Sequence, residues 1–228
     1  MTNKTSGAPV SDRRTKVARL TLLGMLTAVL IVLGYVNIPM PAGLSITFNM
    51  IPVAIAAIAM GVPGGLVIGT VFGLVSFAQC FNVFGASALG TALLNQTYDM
   101  YKSQGYALWQ AALFSGGIMF VQRVLSRTLV GLVTGLIYSG LKKTRLPLSV
   151  KGTITGFSAA FFNTLFFMGS LVLLFSQTAQ MQENMAGKGF FAYLFASVGI
   201  NVITEIVVAA LVTGAAIVAL KKARLITA

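Results

Sequence analysis

The stretch VQRVLSRTLVG, residues 121–131, sets Arg123 and Arg127 four positions apart inside a long apolar run. On a helix that spacing brings both side chains to one face. In a soluble protein two such cations would be an ordinary solvated stripe, whereas within lipid they are costly and demand a reason. Composition decides which solvent applies. The 228-residue chain is 57% hydrophobic and 9% charged, with a mean hydropathy of +0.89, where soluble domains carry roughly 25% charged residues. So small a body cannot bury that much apolar surface, and its exterior must face lipid. The sequence predicts an all-α integral membrane protein with both arginines at membrane depth.

Six segments have the character of bilayer-crossing helices, which need about 20 residues. They are Val17–Ile38, Ile46–Met60, Gly64–Phe81, Gly117–Leu141, Gly152–Phe175 and Phe190–Leu220. The second is short and holds Pro52, which predicts a kink or an extension into the polar stretch before it. The expected organisation is a basic segment 1–16, a six-helix domain 17–220 and a basic tail 221–228. The first apolar run exceeds a signal-peptide core and lacks a clear small-residue cleavage site, so it is read as the first membrane helix.

The formal net charge of +12 would point to nucleic acid in a soluble chain, but the cations flank the apolar spans. Lys4, Arg13, Arg14, Lys16 and Arg19 precede the first; Lys142, Lys143, Arg145 and Lys151 surround the turn after the fourth; Lys221, Lys222 and Arg224 follow the sixth. The opposite side has Lys102 and Lys188. That asymmetry predicts cytoplasmic N and C termini and no nucleic-acid partner. The outer connections 39–45, 82–116 and 176–189 are the longer ones and predict a working surface outside.

The chain has no histidine and a single cysteine, Cys80, which argues against a histidine–cysteine metal site, a catalytic Ser/His/Asp set or a disulfide framework. There is no phosphate-binding GxxxxGK[ST] loop. No catalysis, metal or cofactor is expected of the chain itself. Of its four carboxylates, Asp12, Asp99, Glu183 and Glu205, Glu205 alone lies at membrane depth. Arg127 stands fifteen residues before Lys142 and Glu205 sixteen before Lys221, which predicts a buried ion pair between the fourth and sixth spans in preference to a direct ligand role. Arg123 and Asn201 share a level one turn further out. Arg123 therefore either faces an outer polar chamber, where it would attract an anionic group, or snorkels to the headgroups. Asn49, Gln79, Asn82, Asn95, Asn163 and Asn201 concentrate toward the outer half. Such amides can orient a polar ligand or glue helices together. Phe157 and Phe161 share a helix face and are expected either to wall a pocket or to pack. Gly24 and Ala28 form a small-xxx-small pair that allows close helix approach, within the chain or to a partner.

Taken together, six hydrophobic segments in about 200 residues, ITFNMIPVAIAAIAMGVPGGLVIG (46–69), SFAQCFNVFG (76–85), RVLSRTLVGLVTGLIY (123–138) and TGFSAAFFNTLFFMGSLVLLF (155–175) resemble the substrate-binding S-components of energy-coupling factor (ECF) transporters. The resemblance implies capture of a water-soluble vitamin on the outer side of a bacterial cell membrane. It further implies docking to a membrane coupling protein and two ABC ATPases that use ATP. Gly24-xxx-Ala28 would stand where that family uses an AxxxA-type contact with the coupling protein. A carboxylate vitamin such as pantothenate fits Arg123, with pyrimidine- or pyridoxine-like vitamins, riboflavin and cobalamin as alternatives. Outside that family, a small proton- or sodium-coupled carrier working through Glu205, or an assembly factor with no small ligand, are the competing expectations.

Overall fold

The computed structural model describes the backbone of residues 10–36, 38–39, 45–185, 190–223 and 226, and the side chains of 16–36, 47–183, 185, 202–223 and 226. Helices run α1 Val10–Tyr35, α2 Met50–Met60, α3 Val62–Ala78, α4 Ala88–Ser103, α5 Leu108–Phe120, α6 Ser126–Leu141, α7 Leu148–Phe175, α8 Ala179–Met185 and α9 Phe190–Lys222. Two-residue strands β1 (Ile38–Pro39) and β2 (Ser45–Ile46) pair antiparallel between α1 and α2. Five segments are long and apolar enough to cross a membrane: Lys16–Tyr35, Val62–Phe81, Leu108–Leu141, Leu148–Phe175 and Val202–Lys222. The all-α, multi-pass character expected from composition is therefore present, with large apolar side chains such as Leu20, Leu136, Leu173 and Leu211 on the exterior.

The expected second span differs. Helix α2 has 11 residues, about 16 Å of helix against a bilayer core of about 30 Å. Pro52 does not kink it. It falls in the first turn, where a backbone N–H has no intrahelical acceptor to lose. At its other end Gly61, with φ 70°, reverses the chain directly into α3, a backbone angle that glycine takes without strain. Although short, α2 is the centre of the bundle. Met50, Val53, Ala54, Ala56, Ala57 and Ile58 are fully buried, and α2 packs against α1, α3, α6, α7 and α9.

The segment 82–116, expected as an outer loop, is largely helical. Ser87 caps α4 by accepting the Gly90 N–H at 3.2 Å. Leu89, Gly90, Leu93, Leu94 and Thr97 then form its buried face while Asn95 and Asp99 are exposed. Gly105 turns the chain back, and the rings of Tyr101, Tyr106 and Phe114 close the hairpin with centroids 5.5–5.6 Å apart. From Leu108 the helix is continuous to Leu141 through a π-helical turn at Val121–Leu125.

Glycine holds the central helices together. Gly65, Gly69 and Gly73 recur every four residues on α3 and face α6. A Cβ on Gly65 would meet the Gly131 carbonyl, one on Gly69 would lie 2.7 Å from the Arg127 carbonyl oxygen, and one on Gly73 2.7 Å from Val124 Cα. The two backbones touch, the packing mode that small residues allow in lipid, and Thr70 and Thr128 share a hydroxyl–hydroxyl bond of 3.1 Å across the seam. Helices α7 and α9 repeat the device, with Gly152 and Gly156 against Ala209, Thr213 and Gly214.

Apolar cores fill both ends of the bundle. Cys80, Leu89, Leu93, Met119, Met168, Leu171, Phe175 and Met181 form one; Ile58, Ala59, Tyr138, Ile217 and Leu220 form the other, with Leu22 and Leu148 packed on it. The second lies at the end carrying Lys142, Lys143, Lys151, Lys221 and Lys222. Leu22, three residues after Arg19, brings the start of α1 to that end as well.

The seam makes a direct prediction. Gly131→Leu forces α3 and α6 apart and should cost about 1–3 kcal/mol or more, read as loss of folded protein by chemical unfolding in detergent. Gly117→Ala, where a Cβ meets nothing within 4 Å, should be neutral or stabilising.

Candidate functional site

The π-helical turn carries Gln122 and Arg123 and is followed directly by Ser126 and Arg127. All four are buried. A π-turn leaves backbone carbonyls poorly served. Here the Ser126 hydroxyl donates to the Gln122 carbonyl, and Thr128 Oγ1 donates to the Val124 carbonyl at 2.8 Å. The opening stretch thus turns a broad polar face inward at the level between the two apolar cores.

Arg123 is 4% exposed. Its Nη1 donates to Ser76 Oγ at 3.3 Å and its Nη2 to Ser87 Oγ at 3.2 Å, tying α3 and the cap of α4 to the π-turn. Gly90 leaves room for the guanidinium, since a Cβ there would lie 2.5 Å from Nη2. Arg123 therefore does not snorkel to the headgroups. Arg127 is 6% exposed, and its guanidinium lies 4.1 Å from the Phe167 ring centroid and 5.0 Å from that of Phe72. Arg123 is also 5.0 Å from the Phe167 centroid, so the two guanidinium carbons are no farther apart than the sum of 5.0 and 4.1 Å. At such a separation two like charges repel by about 2 kcal/mol at an effective dielectric near 20. Cation–π contacts of about 0.5–2 kcal/mol each offset part of that.

The ion pair expected between Arg127 and Glu205 is not formed. Glu205 Oε1 instead accepts the backbone N–H of Thr47 at 2.8 Å, while Arg127 donates to Ser126 Oγ at 3.5 Å and rests on aromatic rings. The physical reason is lateral. Helix α2 packs against both α6 and α9, and the backbone entering it reaches the carboxylate first. Equal depth on two helices says nothing about which helix stands between them.

The other expected residues divide. Asn49, at the start of α2, and Asn163, on α7, are 2% and 8% exposed, and each has an amide oxygen without a hydrogen-bond partner among the described residues. Gln79 is committed elsewhere, its Nε2 donating to the Gly34 and Phe84 carbonyls at 3.0 and 3.1 Å. Asn82 and Asn95 are exposed, Asn82 taking the left-handed conformation (φ 61°) that ends a 3₁₀ turn. Phe157 and Phe161 stack on each other at 6.1 Å on the outside of α7, 47% and 43% exposed. They do not wall the buried layer, because Thr155, Ser158, Ala159 and Asn163 take the inward face of that helix. The side chain of Asn201 lies outside the described residues. Gly24 and Ala28 are exposed, and a Cβ on Gly24 meets nothing within 4 Å, so this pair does not serve helix packing among the described residues.

Four participants were not expected from sequence. Gln122 donates from Nε2 to the Phe167 carbonyl at 3.5 Å, Ser76 and Ser87 hold Arg123, and Phe167 gathers both arginines. The signal for Phe167 was its place one turn after Asn163. No protein-family model matches the chain, and no curated protein matches it.

The Thr47 contact is testable. Glu205→Ala should cost about 1–3 kcal/mol by stranding a partly buried N–H. Glu205→Gln, which keeps an acceptor oxygen, should cost clearly less, both read from unfolding in detergent. Equal losses would mean that the charge, not the acceptor, is what the fold uses.

Proposed function

We propose that this chain is the membrane-embedded capture subunit of an ATP-driven importer of the ECF type, taking a water-soluble vitamin, pantothenate first among them, across a bacterial cytoplasmic membrane. One observation carries the reading. Two buried guanidinium groups share a layer of the bundle with no carboxylate in ion-pair contact with either among the described residues. Burying an arginine at mid-membrane costs about 2.5–3.5 kcal/mol on insertion scales. An anionic solute supplies the missing countercharge.

In this reading α2 together with the strand before it is the sixth crossing element, and both termini are cytoplasmic, supported by the cations collected at one end of the bundle. The chain itself is not catalytic. A membrane coupling protein and two ABC ATPases supply the energy, and the exposed Gly24–Ala28 face of α1 is the surface offered to the coupling protein. A pyrimidine- or pyridoxine-like vitamin, riboflavin or cobalamin in the same role is the nearest variation. A proton- or sodium-coupled carrier is the second reading, favoured by Glu205 being buried (7% exposed) with a backbone N–H on its carboxylate.

Mass spectrometry of small molecules released from gently purified protein, followed by calorimetric titration with vitamins, should find one held tightly and stoichiometrically. In liposomes the chain alone should bind that vitamin without concentrating it. ATP-independent accumulation that disappears in Glu205→Gln would establish the carrier instead. Gly24→Trp should leave vitamin binding intact and abolish co-purification with the coupling protein.

A further inference from the structure

We infer that the buried layer receives a small acid that also carries hydroxyl or amide N–H donors, and that Arg127 shares the acid group with Arg123. This deepens the capture reading and rests on it. Among the described residues six side chains at least nine-tenths buried each leave one polar atom without a partner: Oγ1 of Thr134, about two turns beyond Arg127 on α6, and five others, Nε of Arg123 and of Arg127 and the amide oxygens of Asn49, Gln122 and Asn163. Native interiors leave few such atoms unpaired, and these last five are linked through shared neighbours on α7. Both arginines meet at Phe167, Gln122 bonds the Phe167 carbonyl, and Asn163 lies one helical turn before Phe167 on α7. Asn49 precedes Met50, which packs on Ala159 and Ala160, one turn from Asn163.

The set divides by chemistry. Two free atoms are cationic donors and take anionic oxygens, with the strength of charge-assisted hydrogen bonds. Three are acceptors and require O–H or N–H groups. Gln122 is unambiguous, because its NH2 already faces a carbonyl and its oxygen is the atom left over. A neutral polyol would leave both cations uncompensated. A plain fatty acid would leave the amide oxygens bare, and a cationic solute would add repulsion. A hydroxylated or amide-bearing carboxylate satisfies both halves. Arg127 is available for it because its own hydrogen-bond and ring contacts are neutral, the Ser126 hydroxyl and the rings of Phe72 and Phe167, and Glu205 makes its hydrogen bond to Thr47 rather than to Arg127.

The test uses the full chain in nanodiscs, titrated with acids and their neutral counterparts: pantothenate against panthenol, biotin against biotin amide. Hexanoate and nicotinate serve as acids without such donors, and riboflavin as an uncharged vitamin. One donor-bearing acid should bind at least about tenfold more tightly than its neutral counterpart, with hexanoate and nicotinate failing to compete. Arg127→Gln should weaken that acid about ten- to a hundredfold, the scale of a lost charged hydrogen bond, while changing the neutral counterpart little. Arg127→Lys, which keeps the charge, should retain part of the preference and guards against a folding defect.

Each contrary result has its own meaning. Tight riboflavin binding without acid preference overturns the inference and leaves the capture reading standing. An acid preference unchanged in both Arg127 variants removes Arg127 from the site. Hexanoate competing as well as pantothenate or biotin removes the donor requirement. Binding of none of these compounds overturns the inference; if pyridoxine, a pyrimidine vitamin and cobalamin also fail to bind, the capture reading falls with it.

Discussion

The contact on which the rest depends is the glycine seam between α3 and α6. In lipid, apolar side chains gain nothing from leaving the solvent, so helices associate through close packing and polar contacts. Gly65, Gly69 and Gly73 let the two backbones touch at three points over about two turns. The seam therefore fixes the segment that carries both arginines relative to Phe72 and Ser76 on α3. Arg123 then needs only Ser87, delivered by the cap of α4, to be held from two sides.

A second constraint follows from charge. Two cations enter the bundle, and the one carboxylate at their depth is engaged by the Thr47 N–H. The chain moderates the cost with aromatic faces and hydroxyl groups, all of them neutral. Such partners leave the net positive charge in place. The layer thereby keeps a positive charge at its arginines that a contacting Arg127–Glu205 pair would have cancelled in part. The same contact fastens the entry of α2 to α9, so the short central helix and the polar layer share one support.

Helix α2 shows how a protein interior alters what a bilayer requires. Eleven residues cannot cross the hydrocarbon alone, yet no lipid need touch them, because α1, α3, α6, α7 and α9 surround α2. Non-helical backbone before it, at Thr47 and Asn49, is tolerable at depth for the same reason. It is this irregular entry that brings a backbone N–H to Glu205 and an unpaired amide to the layer.

Sequence alone determined the apolar exterior, the all-α class, the collection of cations at one end, and the placement of Arg123, Arg127, Asn163 and Glu205 within long apolar helical segments, because hydropathy, charge and helical rise are properties of the chain read in one dimension. The buried face of α4 was also legible, in the spacing of Leu89, Leu93 and Thr97 behind the Ser87 cap, although the glycine- and amide-rich composition around it reads as a loop. Tertiary structure decided who neighbours whom. It sent Glu205 to Thr47, turned Phe157 and Phe161 outward, spent Gln79 on a loop, and gathered both arginines on Phe167. Depth along a helix follows from counting residues, but lateral position depends on which helices glycine allows to touch and which helix stands between the others.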